Sequence, residues 1–366
     1  MIPFAHALLR NNDEVVVTAP ANVAPMIASA GLDHHPIPDP PAEEREPIFA
    51  KAKTLEPDAA NALVGADLFV RIDTRAGYPH MVAAIERLEP DVMLYDISDF
   101  AAGLAAETTG LPAVSVSISQ GIHMQRLVEP LAEALDEVRA EIGLDPDPQL
   151  ERLAETPSFS LLPQALEAPE TDGVDRILRF RVPDNAPRPL PDWWPNNDWP
   201  LVYVTFGTVV PTIGHYPKLY RDAIDALSVL PVRVLVTVGH DCDPAELGPT
   251  PPNVRVARWI PQADVLAHAA AIVSHGGSGT VTGSLAAGVP AVVVPFIADQ
   301  FHNAERVAEL GAGIALDPGD MLRLPDAVRA LLADLSYREA AGRVAAEMRA
   351  LPTVDTATAI LRRMAA

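Results

Sequence analysis

The chain of 366 residues carries a single cysteine, Cys242, so no disulfide can form within it, and a reducing, cytoplasmic setting is expected. Positive charge is scarce. Against 49 Asp and Glu there are only 27 Lys and Arg, a formal net charge of −22. This imbalance argues against nucleic-acid backbones and anionic membranes as partners. It does not bar a dianionic small ligand, because nearby N–H groups and helix dipoles outweigh remote charge once water is displaced. Long apolar runs are missing too, and none approaches the ~20 residues of a membrane span. The opening Met1-Ile2-Pro3-Phe4-Ala5-His6 lacks the basic region of a signal peptide. What remains, 49% apolar with mixed charge, is a soluble globular chain long enough for two domains. Nothing in the sequence speaks to oligomeric state.

What is present is a rhythm of helices and strands. In the first half, residues 3–10 and 23–30 read as helices, the second ended by Gly31, with a strand at 14–18 between them. Strands follow at 92–96 and 113–117, with an Ala-rich helix at 100–108 between. The second half repeats the pattern, with strands near 202–205, 233–238, 254–257, 272–274 and 291–294. Such alternation implies parallel sheets with right-handed crossovers, so the expected class is α/β with two doubly wound, Rossmann-like domains. The proline-dense stretch Val182-Pro183-Asp184-Asn185-Ala186-Pro187-Arg188-Pro189-Leu190-Pro191 reads as the connection between them. The boundaries are a first domain at 1–182, a linker at 183–200, a second domain at 201–350 and a terminal segment at 351–366. Ligands of such sheets sit beyond the carboxyl ends of strands, where strand order reverses. Asp96, Thr208, His275 and Asp299 all follow expected strands.

The segment 258–303 concentrates chemistry. After the strand at 271–274 comes the turn His275-Gly276-Gly277-Ser278-Gly279-Thr280, then a helix from Thr282 to Ala287, then an apolar strand at 290–295. A glycine turn opening a helix aims backbone N–H groups and a positive dipole end at one point, which suits a phosphate. Trp259 offers a flat face for a base, and a stacked base is worth about 1–3 kcal/mol. Asp299 and Gln300 can accept from and donate to hydroxyls. Base, phosphate and polyol are the parts of a nucleotide sugar. Each residue also has a plainer reading. Trp259 could be a core aromatic, His275 a hydrogen-bonded structural histidine, Thr208 a turn residue, and Asp299 with Gln300 a helix cap. Gly277-Ser278-Gly279 does not continue into a dinucleotide fingerprint.

W-I-P-Q, H-G-G-x-G-T, A-A-G-V-P and D-Q-x-x-N-A together resemble the donor-site signature of inverting glycosyltransferases, nearest to the bacterial enzymes that decorate macrolides and other natural products in antibiotic biosynthesis. Leu201-Val202-Tyr203-Val204-Thr205-Phe206-Gly207-Thr208 and Pro90-Asp91-Val92-Met93-Leu94-Tyr95-Asp96 extend the likeness over most of the chain; it is weakest at 32–78 and 120–183. The resemblance implies the B-type glycosyltransferase fold, two domains facing across a cleft, with the first binding the acceptor and the second the donor. It places Trp259, Ile260 and Gln262 with Thr208, His275, Gly277, Ser278, Gly279 and Thr280 on the nucleotide diphosphate. His275 stabilises charge growing on the leaving group, and four backbone amides from Gly277 to Thr280 assist. Asp299 and Gln300 fall on the sugar hydroxyls. No metal and no cofactor are expected, so the D-x-D of Asp241-Cys242-Asp243 is read as a chance match. The expected partners are a dTDP- or UDP-sugar and a hydrophobic small-molecule acceptor beside Asp96 and loops at 72–80 and 119–126. The terminal helix near 356–364 is expected to return to the first domain.

Two departures from the family pattern matter. The chain opens inside the first helix, whereas the family carries a strand and a G-H-x-x-P turn just before. The histidine of that turn is the family's catalytic base, and Asp96 its partner. The base and a central strand are therefore expected to be missing, leaving neighbouring strands unpaired and Asp96 latent. His6, one turn inward, is not a substitute. Gly283 stands where plant relatives place a glutamate on the ribose hydroxyls, which weakens the case for a UDP donor. His34-His35 is read as exposed loop, and Trp193 with Trp194 as packing or hinge residues. The alternatives to transfer are a catalytically dead nucleotide-sugar binder and a sugar-nucleotide epimerase on the same fold.

Overall fold

The structure is a computed structural model that describes residues 1–171, 176–183, 186–194 and 198–366. Of the expected linker, 184–185 and 195–197 lie outside the described residues. The chain divides into two compact units. Unit 1 comprises Met1–Leu161, Glu170–Pro183 and Pro352–Ala366; unit 2 comprises Leu162–Pro169 and Asp184–Leu351.

Unit 2 is built on one six-stranded parallel sheet: β7 (Leu201–Thr205), β8 (Arg233–Thr237), β9 (Val254–Ala257), β10 (Ala269–Ser274), β11 (Ala291–Val293) and β12 (Gly313–Ala315). The spatial order is β12-β11-β10-β7-β8-β9. Strand order therefore reverses between β7 and β10, which pair from Leu201 to Thr205. All five residues of β7 are buried, as expected of a parallel strand covered on both faces. Alternation assigns them to opposite layers. Val202 and Val204 join one core with the helix Lys218–Ser228 and the helix Leu324–Ala333. Leu201 and Tyr203 join the other, with the helices Ser278–Ala286, Gln300–Glu309 and Leu335–Ala350. Trp194 belongs to the second core, its indole N–H donating to the Asn253 carbonyl at 3.0 Å, and packs edge-on to Trp193.

Unit 1 splits its strands between two parallel sheets. One pairs β1 (Val16–Pro20) with β2 (Asp33–Ile37); the other runs β3 (Met93–Asp96), β4 (Ala113–Ser117), β5 (Ser158–Ser160), β6 (Ile177–Arg179) in that order. β1 and β3 each pair with one strand only among the described residues. Their burial is lower than that of β4: no β1 residue is fully buried and only Tyr95 is in β3, against four of five residues in β4. The core joins both extremes of the chain. Phe4, Phe159 and Phe180 form a ring cluster with centroids 4.9 to 5.8 Å apart, and Val354, Ala357 and Leu361 of the helix Val354–Met364 complete it.

Several expectations fail locally. The first strand starts at Val16 rather than at 14. His34 and His35 are not loop: they form β2, and His34 Nε2 lies 2.9 Å from the Ala19 carbonyl. Residues 72–80 are not a loop but helix, the π-helical Val64–Thr74 continuing into Arg75–Leu88. The helix Gly121–Glu141 likewise absorbs most of 119–126. In each case polar or proline-bearing composition mimics a loop while packing decides otherwise.

Two glycines of unit 2 give opposite expectations. A Cβ on Gly313 would sit 2.1 Å from the Ala291 carbonyl oxygen across the β11–β12 ladder, whereas one on helical Gly342 meets nothing within 4 Å. Gly313→Ala should lower stability by at least about 1–3 kcal/mol, the usual range for overpacking. Gly342→Ala should raise it by about 0.5–1 kcal/mol. Denaturant titration of both variants checks the pair.

Candidate functional site

The chemistry-bearing residues of unit 2 gather at the carboxyl ends of β7, β9, β10 and β11, around the reversal point. β7 ends in a turn at Gly207, with φ 72°, that exposes Thr208. β10 delivers His275 beside it. A Cβ on Gly207 would fall 2.6 Å from His275 Cε1 and Nε2, and one on Gly277 would fall 2.4 Å from Nε2. The ring is thus seated between two glycines, and side chains at either would displace it. His275 is 9% exposed and its Nδ1 is buried with no hydrogen-bond partner. Burial pushes its pKa down to about 4, so the ring is neutral near pH 7. Gly276, at φ 84°, makes the turn, and Gly277 caps the helix Ser278–Ala286 without a side chain. The amides of Gly277, Ser278 and Gly279 make no hydrogen bond within the described residues and are available to an anion. The Thr280 amide is not: it donates to the Gly277 carbonyl at 2.9 Å. Three amides, not four, are therefore offered, because the helix takes up its own third N–H.

Trp259, just beyond β9, is 55% exposed, which settles against a core role. One face stacks on His240, centroids 5.5 Å apart and planes 23° from parallel. His240 follows β8 and carried no sequence signal. Ile260 packs against the core beneath. Gln262 reaches over the head of the next helix, its carboxamide 3.4 to 3.5 Å from the Thr280 carbonyl and hydroxyl oxygens. Gly283 makes room for it: a Cβ there would lie 2.6 Å from Gln262 Nε2. The space over residue 283 is thus filled by the glutamine.

After β11, Asp299 stands at the start of the helix Gln300–Glu309 but makes no capping hydrogen bond. Its Oδ2 instead accepts from Ser278 Oγ at 2.5 Å and from Asn303 Nδ2 at 3.0 Å. Gln300 is turned inward and 5% exposed, its Oε1 accepting from the amides of Phe296 and Ile297 at 2.9 and 3.2 Å.

In unit 1, Asp96 ends β3 with Oδ1 accepting from the Ser98 amide and hydroxyl at 2.9 and 2.5 Å. Asp99, three residues on, caps the helix Phe100–Thr109, and burial pushes its carboxyl pKa up. Of the loops expected around Asp96, the helical segments described above take the place. A cavity of about 420 Å³ lies elsewhere in the unit, near Leu111 and Ala113 where β4 begins. Its charged groups answer one another, with Arg139 on Glu107 at 2.7 and 2.9 Å and Arg152 on Glu107 at 3.2 Å. Asp241-Cys242-Asp243 is a turn in which Asp243 caps a short 3-10 helix.

The burial of His275 has a stability signature. The unfolded chain takes up its proton near pH 6.5 and the folded chain only near pH 4. Stability associated with this group is therefore full above about pH 6.5 and lost as pH falls toward 4, approaching about 3 kcal/mol there. His275→Asn, compared with wild type by denaturant titration from pH 7.5 to 4, should remove that component. Parallel curves for the two proteins would contradict it.

Residues 221–364 match the family described as erythromycin biosynthesis protein CIII-like, C-terminal domain. L-demethylnoviosyl transferase of Streptomyces niveus is 32% identical over 360 residues, covering 96% of this chain and 91% of that protein. Elloramycin glycosyltransferase ElmGT of Streptomyces olivaceus is 30% identical over 376 residues, covering 96% and 90%. Among solved structures, the calicheamicin glycosyltransferase CalG4 superposes with a TM-score of 0.79 at 25% identity, covering 99% of this chain and 94% of that one. The glycosyltransferase VinC in complex with dTDP gives 0.76 at 26%, covering 100% and 95%. By likeness over nearly its whole length, and with the switch-point site in place, the chain belongs to the natural-product glycosyltransferases of the B-type fold and is a glycosyltransferase.

Proposed function

We propose that the chain is an inverting, metal-independent enzyme that moves a sugar, with a deoxysugar the favoured cargo, from dTDP or UDP to a hydroxyl of a hydrophobic natural product. The observation that carries this reading is His275 held between Gly207 and Gly277 at the mouth of a helix with three free amides. A diphosphate laid there meets N–H donors and a positive helix end, without a cation. The buried Nδ1 has no partner, so Nε2, on the glycine side, is the nitrogen that faces the ligand. Trp259 takes the base, and Asp299 the sugar. The acceptor oxygen attacks the anomeric carbon opposite the leaving group; the bond to the diphosphate breaks and its charge settles on the β-phosphate against the 275–279 turn. The acceptor proton passes to a base, and Asp96 is the carboxylate that would orient and stabilise such a group in its charged form. The relatives described above are all transferases, so neither the epimerase nor the dead-binder reading gains an observation in its favour.

Calorimetry with dTDP and EDTA should show binding without metal, and His275→Ala should weaken it by about 1.5–3 kcal/mol, the value of a charge-assisted hydrogen bond. Unchanged affinity in the variant, or an absolute need for magnesium, would overturn the assignment.

The packing of Gln262 over Gly283 supports a donor site without a carboxylate on the ribose. dTDP should compete at least as well as UDP. A UDP preference above about tenfold, or ~1.4 kcal/mol, would count against it.

A further inference from the structure

Asn303 is 1% exposed and lies one turn into the helix Gln300–Glu309. Its Nδ2 reaches three oxygens on two other segments and its own helix start: the Gly276 carbonyl at 2.9 Å, Asp299 Oδ2 at 3.0 Å and Ser278 Oγ at 3.3 Å. Ser278 Oγ closes the figure by donating to Asp299 Oδ2. Asp299 is thus held by one oxygen, through two donors, while Oδ1 makes no hydrogen bond among the described residues. The residue before it, Ala298, is held at φ 56°, a left-handed conformation that costs a non-glycine residue of order 1 kcal/mol and persists only where its surroundings fix it.

We propose that Asn303 is a positioning residue for the transferred sugar. It ties the Asp299 carboxylate to the backbone of the diphosphate turn at Gly276 and leaves Oδ1 directed to a sugar hydroxyl. A carboxylate fixed through one oxygen loses the torsional freedom that would otherwise have to be removed on binding. The two donors on Oδ2 also draw off charge that would repel the diphosphate beside it. Asn303 supplies both effects at once, because its amide bridges the phosphate turn and the sugar carboxylate. A leucine could fill the space but could offer no hydrogen, and a histidine could not offer two from one nitrogen. The proposal rests on the donor-site reading above.

The test uses two probes, dTDP and dTDP-glucose, titrated into wild type, Asn303→Ala, Asp299→Ala and the double variant. Loss of one well-formed hydrogen bond to a charged group corresponds to about tenfold or more in affinity. Asn303→Ala should weaken dTDP-glucose by about that factor while leaving dTDP within about threefold. In the Asp299→Ala background the same change should add less than about twofold, since nothing is left to orient. If Asn303→Ala does not fold, Asn303→Leu carries the same test, because an apolar side chain of similar size can donate to neither Asp299 nor Gly276. Equal losses for the two probes would make Asn303 a support of the phosphate turn alone and overturn the proposal. So would an undiminished effect in the Asp299→Ala background, or a wild type that binds dTDP-glucose no better than dTDP. A wild type that binds neither nucleotide overturns the donor-site reading itself, a result distinct from those three.

Discussion

Unit 2 depends on the parallel pairing of β7 with β10. At that seam the crossovers leave in opposite directions, so no helix covers the strand ends there. The turn after β7 and the turn after β10 are thereby brought within contact of each other, and whatever fills the gap must fit against backbone. The contact is so close that both flanking positions are glycine: Gly207 and Gly277 leave room for a histidine ring and little else. Sheet topology thus dictates the residue types of the site more tightly than any single interaction within it does.

The proposed anion site is compatible with an acidic protein because the field there is local. Three amides and a helix end act over a few ångströms, while the surplus carboxylates are spread over the surface and screened within about 10 Å. The buried, neutral His275 fits the same logic. Burial away from water disfavours a charged imidazolium there. Asp299, the carboxylate described at the site, is engaged through one oxygen by Ser278 and Asn303.

Much of this was legible in the residues. Parallel strands buried on both faces leave continuous apolar runs, so β4 and β7 to β11 could be placed within a few residues, and the glycine turn between β10 and the helix Ser278–Ala286 was legible by composition. Of the three-residue strands, β11 lies in a longer apolar run and could be placed, whereas β5, β6 and β12 leave too short a trace to register. His34 and His35 read as loop because a strand at an edge needs no apolar face. Residues 64–88 carry apolar residues at helical spacing, but Gly65, Gly77 and Pro79 punctuate them. In the site, His240 escaped and Asn303 was legible only as the N of D-Q-x-x-N-A, because contacts across segments are encoded by no spacing. Asp299 showed the converse: its position before a helix fits a cap, and only the geometry of Ser278 and Asn303 reveals that its side chain is engaged elsewhere.

Unit 1 closes its core with Phe4 at one extreme of the sequence and Val354, Ala357 and Leu361 at the other. Unit 1 is thus discontinuous in sequence, and its core closes only when segments separated by the whole of unit 2 meet, a long-range contact that is slow to form.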